Sequence, residues 1–168
     1  ENVKTARDQS SRFIALSVSV EFRLLYSSGM RPTETRLLRT ENVDLARGII
    51  NVKETKGNQQ HYVALHDDAI QLLRDYDAVA SKRFPSRIIF FPMNSKNPDI
   101  PISPDMLDYH FHKVWDKVNG SSAVPYDFRH NYAIENINSW INSGFEFHDK
   151  LVFLSKSMGH TSLESTKY

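Results

Sequence analysis

The spacing of apolar residues shifts from helical to strand-like in one interval of this chain, and that shift limits the fold more than any other feature. From Arg12 to Ser28 apolar side chains recur with the helical period (Phe13, Leu16, Val20, Leu24), and Gly29 supplies a stop. Pro32 and Thr33 open a second, short helix over Glu34 to Leu38, because proline is tolerated in a first turn and threonine can cap. After Asn42 the pattern becomes β-rich: Ile49 to Val52 and His61 to Leu65 flank Lys56-Gly57-Asn58, a turn signal. The helical period returns from Asp67, an expected N-cap, to Phe84, with Ile70, Leu73, Tyr76 and Val79 on one side and Pro85 as the stop. A short apolar run, Ile88 to Phe91, leads into a loop, and Ser103-Pro104 start a helix through Val118. Past the linker Asn119 to Ser122, two more helices, Tyr126 to Trp140 and His148 to Met158, join at a turn around Gly144. The predicted fold is mainly α with a small antiparallel β-sheet (α+β) whose hairpin tip is Gly57-Asn58.

Other classes fall away on composition. A length of 168 residues fits one domain with its own core, and no apolar run is long enough to span a bilayer. With no cysteine there is neither a disulfide scaffold nor a thiolate nucleophile, in keeping with a reducing cytoplasm. The formal charge of +1 does not announce a nucleic-acid partner, so if DNA is bound the positive charge must gather on one face. The chain starts at Glu1 without an initiator Met or a signal-peptide core, and reads as a fragment of something longer.

Four separated pieces follow one another along the chain. They are Leu24-Leu25-Tyr26-Ser27-Ser28-Gly29-Met30-Arg31-Pro32-Thr33-Glu34; Thr55-Lys56-Gly57-Asn58 leading to Tyr62-Val63-Ala64-Leu65; Tyr126-Asp127-Phe128-Arg129-His130; and Met158-Gly159-His160 running on to Thr166. In this order they resemble the tyrosine recombinase and phage integrase family, from about residue 15 to the last. No one piece is persuasive alone, and their joint order carries the resemblance.

The resemblance implies the DNA breaking-rejoining fold and site-specific recombination or integration through a covalent 3′-phosphotyrosine. It assigns Arg31, Arg129 and His160 to the scissile phosphate, Lys56 to protonation of the departing 5′ oxygen, and Glu34 and His130 to supporting places. These types suit the chemistry, since the transition state spreads negative charge over phosphate oxygens and a guanidinium binds them in bidentate fashion at any working pH. Transesterification conserves bond energy, so no cofactor and no metal are expected. Double-stranded DNA is the expected partner, with self-association into a tetramer on DNA by the full-length protein, no membrane, and a cytoplasmic setting for a bacterial or phage-encoded protein acting on DNA.

Two departures qualify the match. Tyr126 stands where the family usually has His, and a phenol serves better as hydrogen-bond partner than as base. Seven residues separate His160 from Tyr168 where the family has eight before its nucleophile, so the nucleophile is expected at the position after Tyr168, with Tyr168 itself as the fallback. On this reading residues 1–168 are a single catalytic domain, lacking the N-terminal DNA-binding arm and C-terminal tail of a longer integrase.

Plainer readings exist for each residue. An isolated Arg31 or Lys56 would be a solvated charge, His130 is equally a core histidine, His110 and His112 face different ways on a helix, and Trp115 and Trp140 are expected in the core. The alternative function is a catalytically inactive DNA-binding or assembly module of the same fold. A type IB topoisomerase shares the chemistry, but the compact length and the Met158-Gly159-His160 piece favour a recombinase.

Overall fold

The computed structural model describes residues 2–53, 60–93, 97–140, 147–160 and 162–166, with the backbone course alone for 2–8. Lys56, the hairpin tip at Gly57-Asn58, the turn at Gly144 and Tyr168 lie outside the described residues. The elements are α1 (Asn2–Ser28), α2 (Pro32–Arg36), a 3-10 turn (Thr40–Asn42), β1 (Val43–Asp44), β2 (Ile49–Val52), β3 (His61–Ala64), α3 (Asp67–Arg83), α4 (Pro104–Val118), α5 (Asp127–Trp140), α6 (Phe147–Ser157) and a second 3-10 turn (Leu163–Thr166). The fold is mainly α with one small antiparallel sheet in the order β1-β2-β3, and β2 pairs with β3 from Ile49 opposite Ala64 to Val52 opposite His61. No described helix is long and apolar enough to cross a membrane.

Most boundaries fall where the periodicity puts them, and the departures have local causes. Helix α1 starts ten residues before Arg12, because residues 2–11 contain no Gly or Pro to interrupt a helix even where no apolar stripe marks them. Arg31, not Thr33, caps α2, and His66, not Asp67, caps α3. In α4 the Ser103 side chain does cap, accepting from the Met106 N–H at 3.2 Å. The two-residue β1 carries too short a pattern to be seen in sequence.

Two expected core positions are turned outward. Leu16 is 39% exposed while Ser17 is fully buried with its hydroxyl 3.0 Å from that of Tyr76, so the inner stripe of α1 is Phe13, Ser17, Val20 and Leu24. In α3 the buried stripe is Ala69, Leu73, Tyr76 and Ala80, and Val79, rotated about 120° from Leu73 at 100° per residue, is 48% exposed. The main core joins these faces to Ile50, Val52, Val63, Phe90, Phe91, Ile102 and Leu107. A second, small cluster consists of Ala133, Leu154 and Met158, flanked by Tyr132, Ile137 and Trp140. Both tryptophans are half-buried rather than core: Trp115 stacks on Phe111 at 5.3 Å, and Trp140 edges the small cluster.

Candidate active site

Helix α1 ends where Gly29 enters the left-handed region at φ 64° and its N–H bonds to the Leu25 carbonyl at 3.1 Å. Only glycine fits there, because the ring of Tyr132 lies where a side chain would project. The chain then buries Met30 and delivers Arg31 at the head of α2. Glu34, one turn on and 2% exposed, accepts from the Arg31 backbone N–H at 2.8 Å and from its Nη1 at 2.5 Å. The carboxylate thus grips Arg31 at both ends, and Nη2 donates to the Gly159 carbonyl at 3.3 Å.

Arg129 lies in the first turn of α5 and has no solvent exposure. Its Nη1 donates to the Gly29 carbonyl and its Nη2 to the Met158 carbonyl, both at 2.7 Å. One guanidinium therefore ties the end of α1 to the end of α6.

Helix α6 closes in a Schellman motif: His160 N–H bonds to the Ser155 carbonyl at 2.9 Å and Gly159 N–H to the Lys156 carbonyl at 3.0 Å, with Gly159 at φ 66°. This termination sets His160 beside the arginines. Its Nδ1 is 2.7 Å from the Thr166 hydroxyl, and burial together with the charges of Arg129, Arg31 and His61 holds the imidazole well below the usual histidine range, at about 4. At neutral pH His160 is therefore neutral. When Thr166 donates to Nδ1, the proton sits on Nε2, which is then the donor available to a ligand.

The residues expected to act together thus meet as follows. Arg31 and Arg129 are anchored on the adjacent carbonyls of Gly159 and Met158, with His160 next in the chain. Tyr126, 40% exposed, borders a groove with Pro32 and Thr33, next to Arg31, and its ring meets that of His130 at 5.2 Å. His130 itself lines another groove, with Tyr26, Trp115 and Phe128.

His61, Tyr132 and Thr166 belong to this region but were not singled out from the sequence. Only Thr166 lay inside a recognised piece. The strand alternation of β3, with His61 and Val63 buried and Tyr62 and Ala64 exposed, was the available signal for an inward His61.

Residues 3–168 match the phage integrase family. The chain is 22% identical over 144 residues to the tyrosine recombinase XerA of Pyrococcus furiosus, covering 86% of this chain and 46% of that protein. It is 27% identical over 147 residues to the tyrosine recombinase XerC of Chlamydia trachomatis, covering 85% and 42%. The chain spans about half the length of the curated relatives it matches. Its fold is similar to a crystal structure of XerA recombinase, with a TM-score of 0.70 at 20% identity over 96% of this chain and 56% of that one. It is also similar to XerH site-specific recombinase bound to its difH substrate, with a TM-score of 0.67 at 16% identity over 95% and 48%. With the four pieces in order and a match running through nearly every residue, this chain belongs to the phage integrase family.

Proposed function

We propose that this chain is the catalytic part of a longer site-specific DNA recombinase that cuts and rejoins strands through a covalent 3′-phosphotyrosine, working in the cytoplasm of a bacterium or of a phage-infected cell. The observation that carries the reading is the placement of Arg31 and Arg129, far apart in sequence, on neighbouring carbonyls beside a neutral His160. A phosphate entering there meets Arg31 and the His160 Nε2 as donors, with the charge of Arg129 behind them.

In the proposed reaction the hydroxyl of the tyrosine after Tyr168, or of Tyr168 itself, attacks phosphorus. The phenolic proton passes to water as the new O–P bond forms, the bond to the 5′ oxygen breaks, and that oxygen takes a proton from Lys56. A 5′ hydroxyl then attacks the phosphotyrosine, restoring the phosphodiester and the free phenol, with no net consumption of bond energy. Glu34 orients Arg31, and Tyr126 is a hydrogen-bond partner near the phosphate. The assembly on double-stranded DNA is a tetramer of the full-length protein.

One observation favours the second reading, an inactive module of the same fold: Arg129 is wholly buried and both its Nη groups are bound to carbonyls. The two readings separate in one experiment. The full-length protein, given a nicked suicide substrate carrying its site, is expected to form a denaturant-resistant adduct at the 3′ phosphate, with or without EDTA. Arg31→Ala should lower its rate by roughly two to three powers of ten, the scale for one transition-state donor. Lys56→Ala should slow cleavage, and a sulfur leaving group at the 5′ position should restore it. Phe placed singly at Tyr168 and at the next position identifies the nucleophile. Tight site-specific binding with no adduct from any version establishes the inactive module.

A further inference from the structure

His61 stands at the head of β3, 7% exposed, with its ring against the backbone of Gly159. A methyl group on Gly159 would come within 2.6 Å of the His61 Nδ1 and 2.7 Å of its Cε1, so the space left by the missing side chain is filled by the imidazole. That glycine is the peptide on which the site converges. Its carbonyl receives Arg31, the carbonyl before it receives Arg129, and His160 follows. Strand β3 and helix α6 pack on each other here, around a cleft that His61, Tyr132, Gly159 and His160 all line.

The small cluster under α6 contains Ala133, Leu154 and Met158 as buried apolar side chains among the described residues, edged by the partly buried Tyr132, Ile137 and Trp140, and Leu151 is buried on the same helix outside it. That is less apolar packing than the main core supplies. The sheet, by contrast, belongs to the main core through Ile50, Val52 and Val63. Among the described residues, the His61 side chain brings this well-packed sheet against the turn. We infer that His61 is a positioning residue, holding the Gly159 peptide so that the Arg31 anchor keeps its place. It needs no contact with DNA to do this. The inference rests on the recombinase reading and adds to it a residue outside the four pieces.

The test is a double-mutant cycle in the full-length protein, read as the single-turnover rate of adduct formation at saturating DNA. His61→Ala should slow the reaction by a factor on the order of 10 to 10², the scale of a small misplacement, while the DNA dissociation constant changes little. Because His61 acts through the peptide that anchors Arg31, its removal in an Arg31→Ala background should cost only a small fraction of that factor. In parallel, the His160 imidazole, followed by NMR, should titrate at higher pH in His61→Ala. That group is faced by Arg31, Arg129 and His61, and one of the three is then gone.

A full penalty from His61→Ala in the Arg31→Ala background would overturn the inference, as would a rate equal to that of the parent protein. Should His61→Ala fail to fold, His61→Gln carries the same cycle. Failure of the unaltered protein to form any adduct overturns the recombinase reading itself and takes this inference with it.

Discussion

Among the described residues, the core beneath Arg31 gathers eighteen buried apolar side chains from α1, the sheet, α3, α4 and the segments between them, whereas the cluster beneath His160 gathers three. The contributors differ in kind as well as number. The first region interlocks aromatic rings, Tyr76 with Phe90 and Phe91 and Phe13 with Phe84, at 5.0 to 5.6 Å. The second is two helices closing over Ala133, Leu154 and Met158, with Tyr132, Ile137 and Trp140 only partly buried at its edge. The site is therefore assembled from a firm half and a lightly packed half, and the polar contacts across the seam replace packing that the second half lacks. Arg129 is the main such contact, with the Arg31 bond to Gly159 beside it, and the His61 ring packs on the same glycine.

The largest effect expected from this contrast is that of Arg129→Ala. It strips the Gly29 and Met158 carbonyls of their partner, at roughly 1–3 kcal/mol for each buried group left unsatisfied, for a loss of about 3 kcal/mol or more. Hydrogen exchange should show protection falling in α6 while α1 and α3 stay protected; uniform loss in all three would break the comparison. Arg129→Lys should restore little, since one ammonium cannot reproduce a planar fork spanning two carbonyls.

Next in size is a pH effect lodged in the firm half. Glu21 is fully buried in α1, burial pushes its carboxyl up to about 8 against the pull of the Thr35 hydroxyl and Arg36, and its Oε2 has no hydrogen-bond partner among the described residues. The folded pKa lies above the ordinary value of 4.5, so the folded chain keeps a proton that the unfolded chain loses first. Stability is complete below 4.5 and declines as pH rises to about 8. At roughly 1.4 kcal/mol per pKa unit, and allowing for relaxation around the ionised group, about 2–4 kcal/mol should go. Urea denaturation of Glu21→Gln should lack this slope, and an unchanged slope would locate the titration elsewhere.

Smaller still is the stability cost of Arg31→Ala, about 1–2 kcal/mol, because Glu34 loses its ion pair but keeps the Arg31 backbone N–H. Chemical denaturation checks it, and a cost as large as that of Arg129→Ala would mean that Arg31 also holds the seam. The smallest effect comes from His160, whose folded pKa lies below its ordinary 6.5. Its contribution is fully present above 6.5 and is lost as pH falls toward 4, the reverse of Glu21. Mild acid should thus loosen α6 before α1, which residue-resolved exchange near pH 5 can read.

The same division explains what the sequence disclosed. Elements of the firm half were legible because burial imposes a period: Ile49–Val52 emerges with its predicted ends, and α3 misses by a residue. Leu16 and Val79 were misplaced because the period was matched through the most apolar residue in each window, while the packed stripe uses the smaller Ser17 and Ala80. The places of Arg31, Arg129 and His160 were legible only through resemblance to a family, since nothing in their local spacing brings them together. The carbonyl anchors, the burial of Glu21 and the ring of His61 on Gly159 are products of tertiary approach between segments many residues apart, and leave no local trace. Lys56 and Tyr168 lie outside the described residues, and their roles rest on the resemblance alone.

The helix ends that receive Arg129 have an electrostatic consequence. A carbonyl at a helix C-terminus carries the negative end of the macrodipole, equivalent to about half an electron charge per helix. Two such ends make a buried guanidinium tolerable, yet peptide groups have no net charge, so the full unit of positive charge persists beyond them. An aspartate in their place would cancel the field it stabilised. The His160 imidazole is depressed first by burial and then by the charges of Arg129, Arg31 and His61, and an arriving polyanion displaces no carboxylate from Arg129's anchors at Gly29 and Met158.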